Sequence, residues 1–169
     1  MKIGMVLEGG AMRGMYTAGV LDVFLDKDIK VDGIIGVSAG VLFGVNYCSK
    51  QRGRALRYNK RFCKDKNYMS LYSLIKTGNL INKQFAFYDV PLIHDVFDTE
   101  EYKKSKTKFY ATVTNVKTGL AEYIELDDII AQMEVLRATG AMPYVSQIVD
   151  YEGESYLDGA LADSIPIDK

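Results

Sequence analysis

The sequence predicts an α/β fold in which a parallel sheet carries helices on its faces. Three observations predict it. Short apolar runs at residues 2–7 and 31–36 both stop at glycines. Each is followed by an apolar segment with helical spacing. The resulting order is strand, glycine loop, helix, strand, sharp turn, helix. Parallel strands need such crossovers, and these are almost always right-handed.

The elements follow in chain order. "KIGMVL" (2–7) reads as a buried strand. After "EGGAMRG", Met15, Ala18, Leu21 and Leu25 recur at helical spacing, and Val20, Val23 and Phe24 widen the stripe. That helix is therefore expected to be largely covered. "VDGIIG" gives a second strand, and "AGVLFGVNY" a second apolar helix starting right after Ser38. The uncharged stretch from Gly33 to Ser49 is shorter than the ~20 residues a membrane span needs. It also holds Gly36, Ser38, Gly40, Gly44 and Asn46, so a buried strand, turn and helix is the better reading.

From Lys50 the chain turns basic, with Tyr58, Phe62, Tyr68 and Tyr72 interleaved. Segment 50–72 reads as a solvated helical face. Its sharper alternative is a peripheral membrane contact for phospholipid headgroups, with Tyr58 and Phe62 dipping into the interface. Residues 67–107 read as irregular or short-helical with a turn at "TGN" (77–79), and pocket walls are expected from 60–107. "KFYATVTNV" (108–116) and "LAEYIEL" (120–126) form a hairpin around "KTG". "DDIIAQMEVLRATGAM" opens with acids, as a helix N-terminus should, and ends at Gly140 and Pro143. "IVDYEGESYLDGA" is a second hairpin, turning at Glu152-Gly153, with Asp158-Gly159 at the end of its second strand.

The 169 residues make one domain, 1–169, and 48% hydrophobic with 25% charged residues describes an ordinary globular chain. A net charge of −1 gives no pull towards nucleic acid, and no nucleic-acid partner is expected. Cys48 and Cys63 fit neither a zinc pattern nor a disulfide framework and are expected to be buried reduced thiols. The N-terminal apolar run, broken by Glu8 and glycines, is too short for a signal peptide, so a cytoplasmic location is expected. Carboxylates do not cluster with ligand spacing, and neither a metal nor a cofactor is expected.

"GVSAG" (36–40) poses the functional question, because G-x-S-x-G alone also occurs at ordinary packing turns. An attacking serine needs exposure of its oxygen, a proton acceptor, and donors for the oxyanion. A strand-to-helix elbow at Ser38, with Gly36 and Gly40 sparing clashes across the turn, meets the first need. "GGAMRG" (9–14) offers backbone N–H groups at the same sheet edge, with Arg13 to fix the loop or add positive potential. A nucleotide loop is the rival reading of that stretch. It fails because Ala11 holds the place of a required glycine and Asp32 precedes its strand instead of ending it. The single histidine, His94, has no catalytic context in "PLIHDVF", so a carboxylate is the candidate base. Asp158 in "LDGA" lies at a strand end, where burial beside Leu157 and Ala160 could raise its pKa. An Asp-Gly turn is its plain alternative.

In order, "GGAMRG", "GVSAG" and "DGA" resemble the three motifs of the patatin-like phospholipases, and "RATGAMPYV" and "LADSIPI" resemble family segments around the aspartate. The resemblance implies a three-layer α/β/α fold with a mainly parallel central sheet. It implies Ser38 as nucleophile and Asp158 as general base of a dyad, Gly9, Gly10, Ala11, Arg13 and Gly14 as the oxyanion loop, and Gly159 and Ala160 as the rest of the third motif. The implied activity is serine-dependent hydrolysis of a lipid or other acyl ester. Ala11 departs from the family's third glycine and would resist positive φ. The chain ends eleven residues after Asp158, where the family's sheet continues, so a truncated or shortened domain is expected. The alternative function is an inactive or truncated member that binds lipid or a partner.

Overall fold

The computed structural model describes residues 2–169. It is a three-layer α/β/α arrangement around a mixed sheet. Strands β1 (Gly4–Leu7), β2 (Gly33–Val37) and β3 (Lys108–Asn115) run parallel. Strands β4 (Ala121–Glu125) and β6 (Glu154–Asp158) pair antiparallel with β3, and β5 (Val149–Tyr151) pairs antiparallel with β6. The sheet is thus mixed rather than purely parallel, with its first three strands parallel as expected. Each of the two predicted hairpins returns directly beside its own first strand, which only antiparallel pairing allows.

The first half follows its local signals. A short 3₁₀ turn (Ala11–Gly14) leads into α1 (Met15–Asp26), and α2 (Ala39–Cys48) starts at Ser38. Apolar on every side, α2 is buried along its length apart from a half-buried Leu42. The Phe109 ring lies against α2 at Gly44, and Ile34, Val41, Val45 and Leu7 complete the core between sheet and helix. Two expectations about covering fail. In α1 only Ala18 and Leu21 are buried, while Tyr16, Val20 and Val23 are exposed, because that helix packs on α2 and α3 with one narrow stripe. In β1, at the sheet edge, only Leu7 is buried.

Between the parallel strands lies a helical lobe. It comprises α3 (Arg54–Phe62), α4 (Leu71–Thr77), a π-helical turn (Phe85–His94) and α5 (Thr99–Lys104). Ala55, Tyr58, Asn59 and Phe62 recur at helical spacing and are buried. Tyr58 and Phe62 thus face the core, which corrects their placement in a membrane interface; Tyr72 is the exposed aromatic, with Lys66 Nζ 5.2 Å from its ring centroid. The π-helical turn carries Pro91, which can donate no N–H and would crowd a tighter helix. Cys48 is buried as expected, but Cys63 is exposed at the end of α3. Helix α6 (Met133–Thr139) is shorter than its apolar pattern suggested, since residues 127–132 form turns held by Gln132 and Asp128 side chains.

Candidate active site

The sheet register brings two distant residues together. Strand β4 lies along β3 from Tyr110 to Thr114, while β2 pairs with β3 up to Thr112 and β6 pairs from Val113 to Asn115. A strand has two edges, so β2 and β6 must share the one that β4 leaves free. They meet there end to end: Val37 pairs with Thr112 and Asp158 with Val113, the next residue. Ser38, directly after Val37, thus meets Asp158 although 120 positions separate them in the chain.

Ser38 has φ 53° and ψ −123°, backbone that a non-glycine residue adopts at a cost of roughly 1–3 kcal/mol. Several contacts hold it there. Its N–H donates to Thr139 Oγ1 at 2.9 Å, and that hydroxyl donates to the Thr112 carbonyl at 2.7 Å. Its carbonyl accepts the N–H groups of Val41 and Leu42, opening α2. Gly36 and Gly40 flank the turn; a Cβ at Gly40 would collide with the Leu7 carbonyl oxygen. Thr139 is fully buried at the end of α6. Sequence reasoning misses it; a hydroxyl-bearing residue at the end of α6, just before Gly140 in "RATG", is its one local signal.

The glycine loop lies against the same point. A Cβ on Gly9 would stand 3.0 Å from Ser38 Cβ. Gly10 has φ 148°, and Ala11 has φ 48° despite its side chain, so the strain that alanine resists is accepted here. Arg13 folds back beside Gly10, and Gly14 ends the turn, buried against Ala39 and Phe43.

Asp158 is buried, at 3% exposure. Burial pushes its carboxyl above the usual carboxylate range; the Ala160 N–H, donating to Oδ1 at 2.9 Å, and the neighbouring Ser38 hydroxyl pull the other way. Gly159 starts a short 3₁₀ turn packed against the Thr112 carbonyl. His94 sits apart, exposed and packed on the rings of Phe62 and Phe85.

Ser38 stands at the junction of two spaces. One is an open cleft of ≈ 700 Å³, shared with Gly9, Gly10, Arg13, Met142 and Asp158. The other is a narrower, mainly apolar cavity of ≈ 130 Å³ running under Leu42, Phe87, Val90, Phe97 and Met133. Much of its wall comes from residues 68–97, as expected of the helical lobe. Among the described residues no helix is long and apolar enough to cross a membrane.

Comparison with known proteins places this geometry. The protein YjjU of Escherichia coli is 30% identical over 98% of this chain, which covers 47% of YjjU. Lysophospholipase nte1 of Aspergillus niger is 25% identical over 99% of the chain, and neuropathy target esterase sws of Drosophila melanogaster 25% over 99%; the chain covers 11% and 12% of them. The chain thus spans about half the length of YjjU and a small part of the other two. The crystal structure of VipD from Legionella pneumophila superposes with a TM-score of 0.52 at 14% identity, covering 98% of this chain and 47% of VipD, and so shares the fold. The patatin-like phospholipase family model matches residues 5–169, and the chain belongs to that family.

Proposed function

We propose that this protein is a serine-dependent lipid acyl hydrolase working through a Ser38–Asp158 dyad. The observation that carries the reading is the meeting of β2 and β6 on one edge of β3, which sets a strained serine beside a buried aspartate where an open cleft joins an apolar cavity. The acyl chain lies in the cavity and the leaving alcohol in the cleft. The names lysophospholipase and neuropathy target esterase among its relatives favour a lipid ester as substrate.

Ser38 Oγ attacks the ester carbonyl carbon while Asp158 takes the hydroxyl proton. Backbone N–H groups of Gly9, Gly10 and Ala11, together with the N-terminal end of α2, stabilise the oxyanion. As the carbonyl re-forms, Asp158 returns its proton to the departing alkoxide. Water then enters, gives a proton to Asp158, and its oxygen attacks the acyl-enzyme carbonyl; Ser38 leaves, reprotonated, and the carboxylic acid is released. Burial of Asp158 makes it a better base than a free carboxylate.

Labelling with a fluorophosphonate, followed by peptide mass mapping, tests this reading. Labelling at Ser38 that vanishes in Ser38→Ala is expected. A folded protein that takes up no label at Ser38 would make it a binding module instead.

A further inference from the structure

The apolar cavity ends on polar side chains. Arg54 and Asn59, 4% and 1% exposed, line it together with the buried Tyr58 and Tyr68. Arg54 donates Nε and Nη2 to the Asp95 carbonyl at 3.0 and 2.6 Å, and Nη1 to Asn46 Oδ1 at 2.8 Å. A guanidinium has five N–H donors, so two remain. Asn59 is engaged on three sides: its amide donates to the Ala55 carbonyl, its oxygen accepts the Tyr68 hydroxyl, and its side chain also hydrogen-bonds Tyr58. The Tyr58 ring lies under the Arg54 guanidinium at 5.3 Å, and its hydroxyl lies beside the Asn59 side chain. The two remaining Arg54 donors are therefore in surplus at this end.

Charge points the same way. The Asp95 carboxylate is shared between Arg57, at 2.7 Å, and Arg54, at 3.5 Å, which leaves the cluster one positive charge in excess. Burial pulls the Arg54 pKa down, as expected of a cation taken from water with incomplete compensation. The group that complements such an end is an acceptor without donors, best an anion.

The distance from the ester defines the ligand further. Asn46, which Arg54 touches, lies eight residues along α2 from Ser38, about 12 Å at the rise of an α-helix. An extended chain of tetrahedral atoms covers that in roughly ten bonds. We propose that the cavity takes a medium-length acyl chain bearing an oxygen acceptor, best a carboxylate, about ten bonds from the scissile carbonyl, held by Arg54 and Tyr58. The proposal rests on the hydrolase reading for where the ester lies, while binding itself needs no turnover.

Calorimetric titration of the Ser38→Ala protein with monomethyl decanedioate and with methyl decanoate tests it, alongside hydrolysis of 4-nitrophenyl acetate by the unmodified protein. The half-ester is expected to bind about tenfold more tightly, which corresponds to one charge-assisted contact. Adding Arg54→Met or Tyr58→Phe should bring the two ligands together; Tyr58→Phe removes one oxygen only and keeps the test open if Arg54→Met does not fold. Equal or weaker binding of the half-ester overturns the proposal and leaves Arg54 a clamp on Asp95, and so does a preference that survives both substitutions. Tight half-ester binding without acetate hydrolysis would uphold the cavity assignment and sink the hydrolase reading; acetate hydrolysis without the binding preference would do the reverse.

Discussion

The sheet side of the cleft and its helical side are built by different means. On the sheet side, Ser38 and Asp158 are placed by strand register, and the main contacts that fix them run through backbone: the Ser38 N–H to Thr139, the Ala160 N–H to Asp158, Gly40 against the Leu7 carbonyl. On the helical side, the wall is made by side chains meeting one another, such as Phe62 edge-on to Phe85 and Arg54 over Tyr58 and Phe97. Backbone geometry positions atoms to a fraction of an ångström and tolerates little change. Side-chain walls can change shape while the chemistry stays put, so the sheet side should carry rate and the helical side selectivity.

Asp158→Asn is the sharpest way to break that division. Loss of a general base costs about 10²–10⁴ in rate, so kcat/KM should fall by that much. Stability should move in the opposite direction. Asp158 has a raised pKa in the folded chain, so its ionised form opposes folding. That cost is absent below the unfolded value, grows as pH rises through the window up to the folded value, and is full above it. The Asn variant should therefore melt higher than the parent at neutral pH and alike at low pH, checked by calorimetry across pH. The acid limb of kcat/KM in the parent should sit above the ordinary carboxylate value of about 4. An acid limb at the ordinary value would remove Asp158 from the role of base.

Gly40→Ala tests the backbone itself. Its Cβ would meet the Leu7 carbonyl, which cannot swing away because β1 is paired to β2. The expected loss is about 3 kcal/mol or more of stability, at the large end for single substitutions, read from urea unfolding. A variant that folds normally would show that β1 yields more readily than its pairing suggests.

These two residues also mark how far the sequence could be read. Gly40 and Ser38 belong to one short stretch whose turn and helix start are local signals, and the elbow was legible from five residues. Asp158 was legible as a strand end, but its meeting with Ser38 depends on which edge of β3 each strand takes, which no local pattern contains. The antiparallel return of β6 is in the hairpin signal, but the strand it joins, β3, is not. In the helical lobe, the buried stripe of Ala55, Tyr58, Asn59 and Phe62 was written in the helical period, but the basic residues between them gave the segment a surface character. Arg54 was the costliest of these to read, since a buried arginine is recognisable only from its partners Asp95 and Asn46, and both are remote or on another helix.

Thr139→Val sits between the two sides, because Thr139 belongs to a helix but acts on the elbow. It keeps the shape and removes the hydroxyl that links the Ser38 N–H to the Thr112 carbonyl. Two buried backbone groups then lose their partner, at about 1–3 kcal/mol each. Ser38 should relax towards less strained angles, and kcat should fall about tenfold to a hundredfold with KM little changed. Thr139→Ser, which restores the hydroxyl, should recover most of the rate. Equal loss in both variants would mean that the methyl group's packing matters and the hydroxyl does not position Ser38.

Arg57→Ala should have the smallest effect, and the reason lies in the wall's construction. Arg57 pairs with the same Asp95 that Arg54 reaches, yet its side chain is 55% exposed where that of Arg54 is 5%. Water screens the outer pair, so its removal should cost about 1 kcal/mol or less, measured by thermal melting. Asp95 keeps Arg54 as its buried counter-charge, and the π-helical turn that Asp95 ends stays tied to α3 through its carbonyl. Salt should weaken the parent towards the variant, since only the outer pair is open to screening. A loss of several kcal/mol would mean that the exposed arginine, and not the buried one, holds the helical wall against the sheet side.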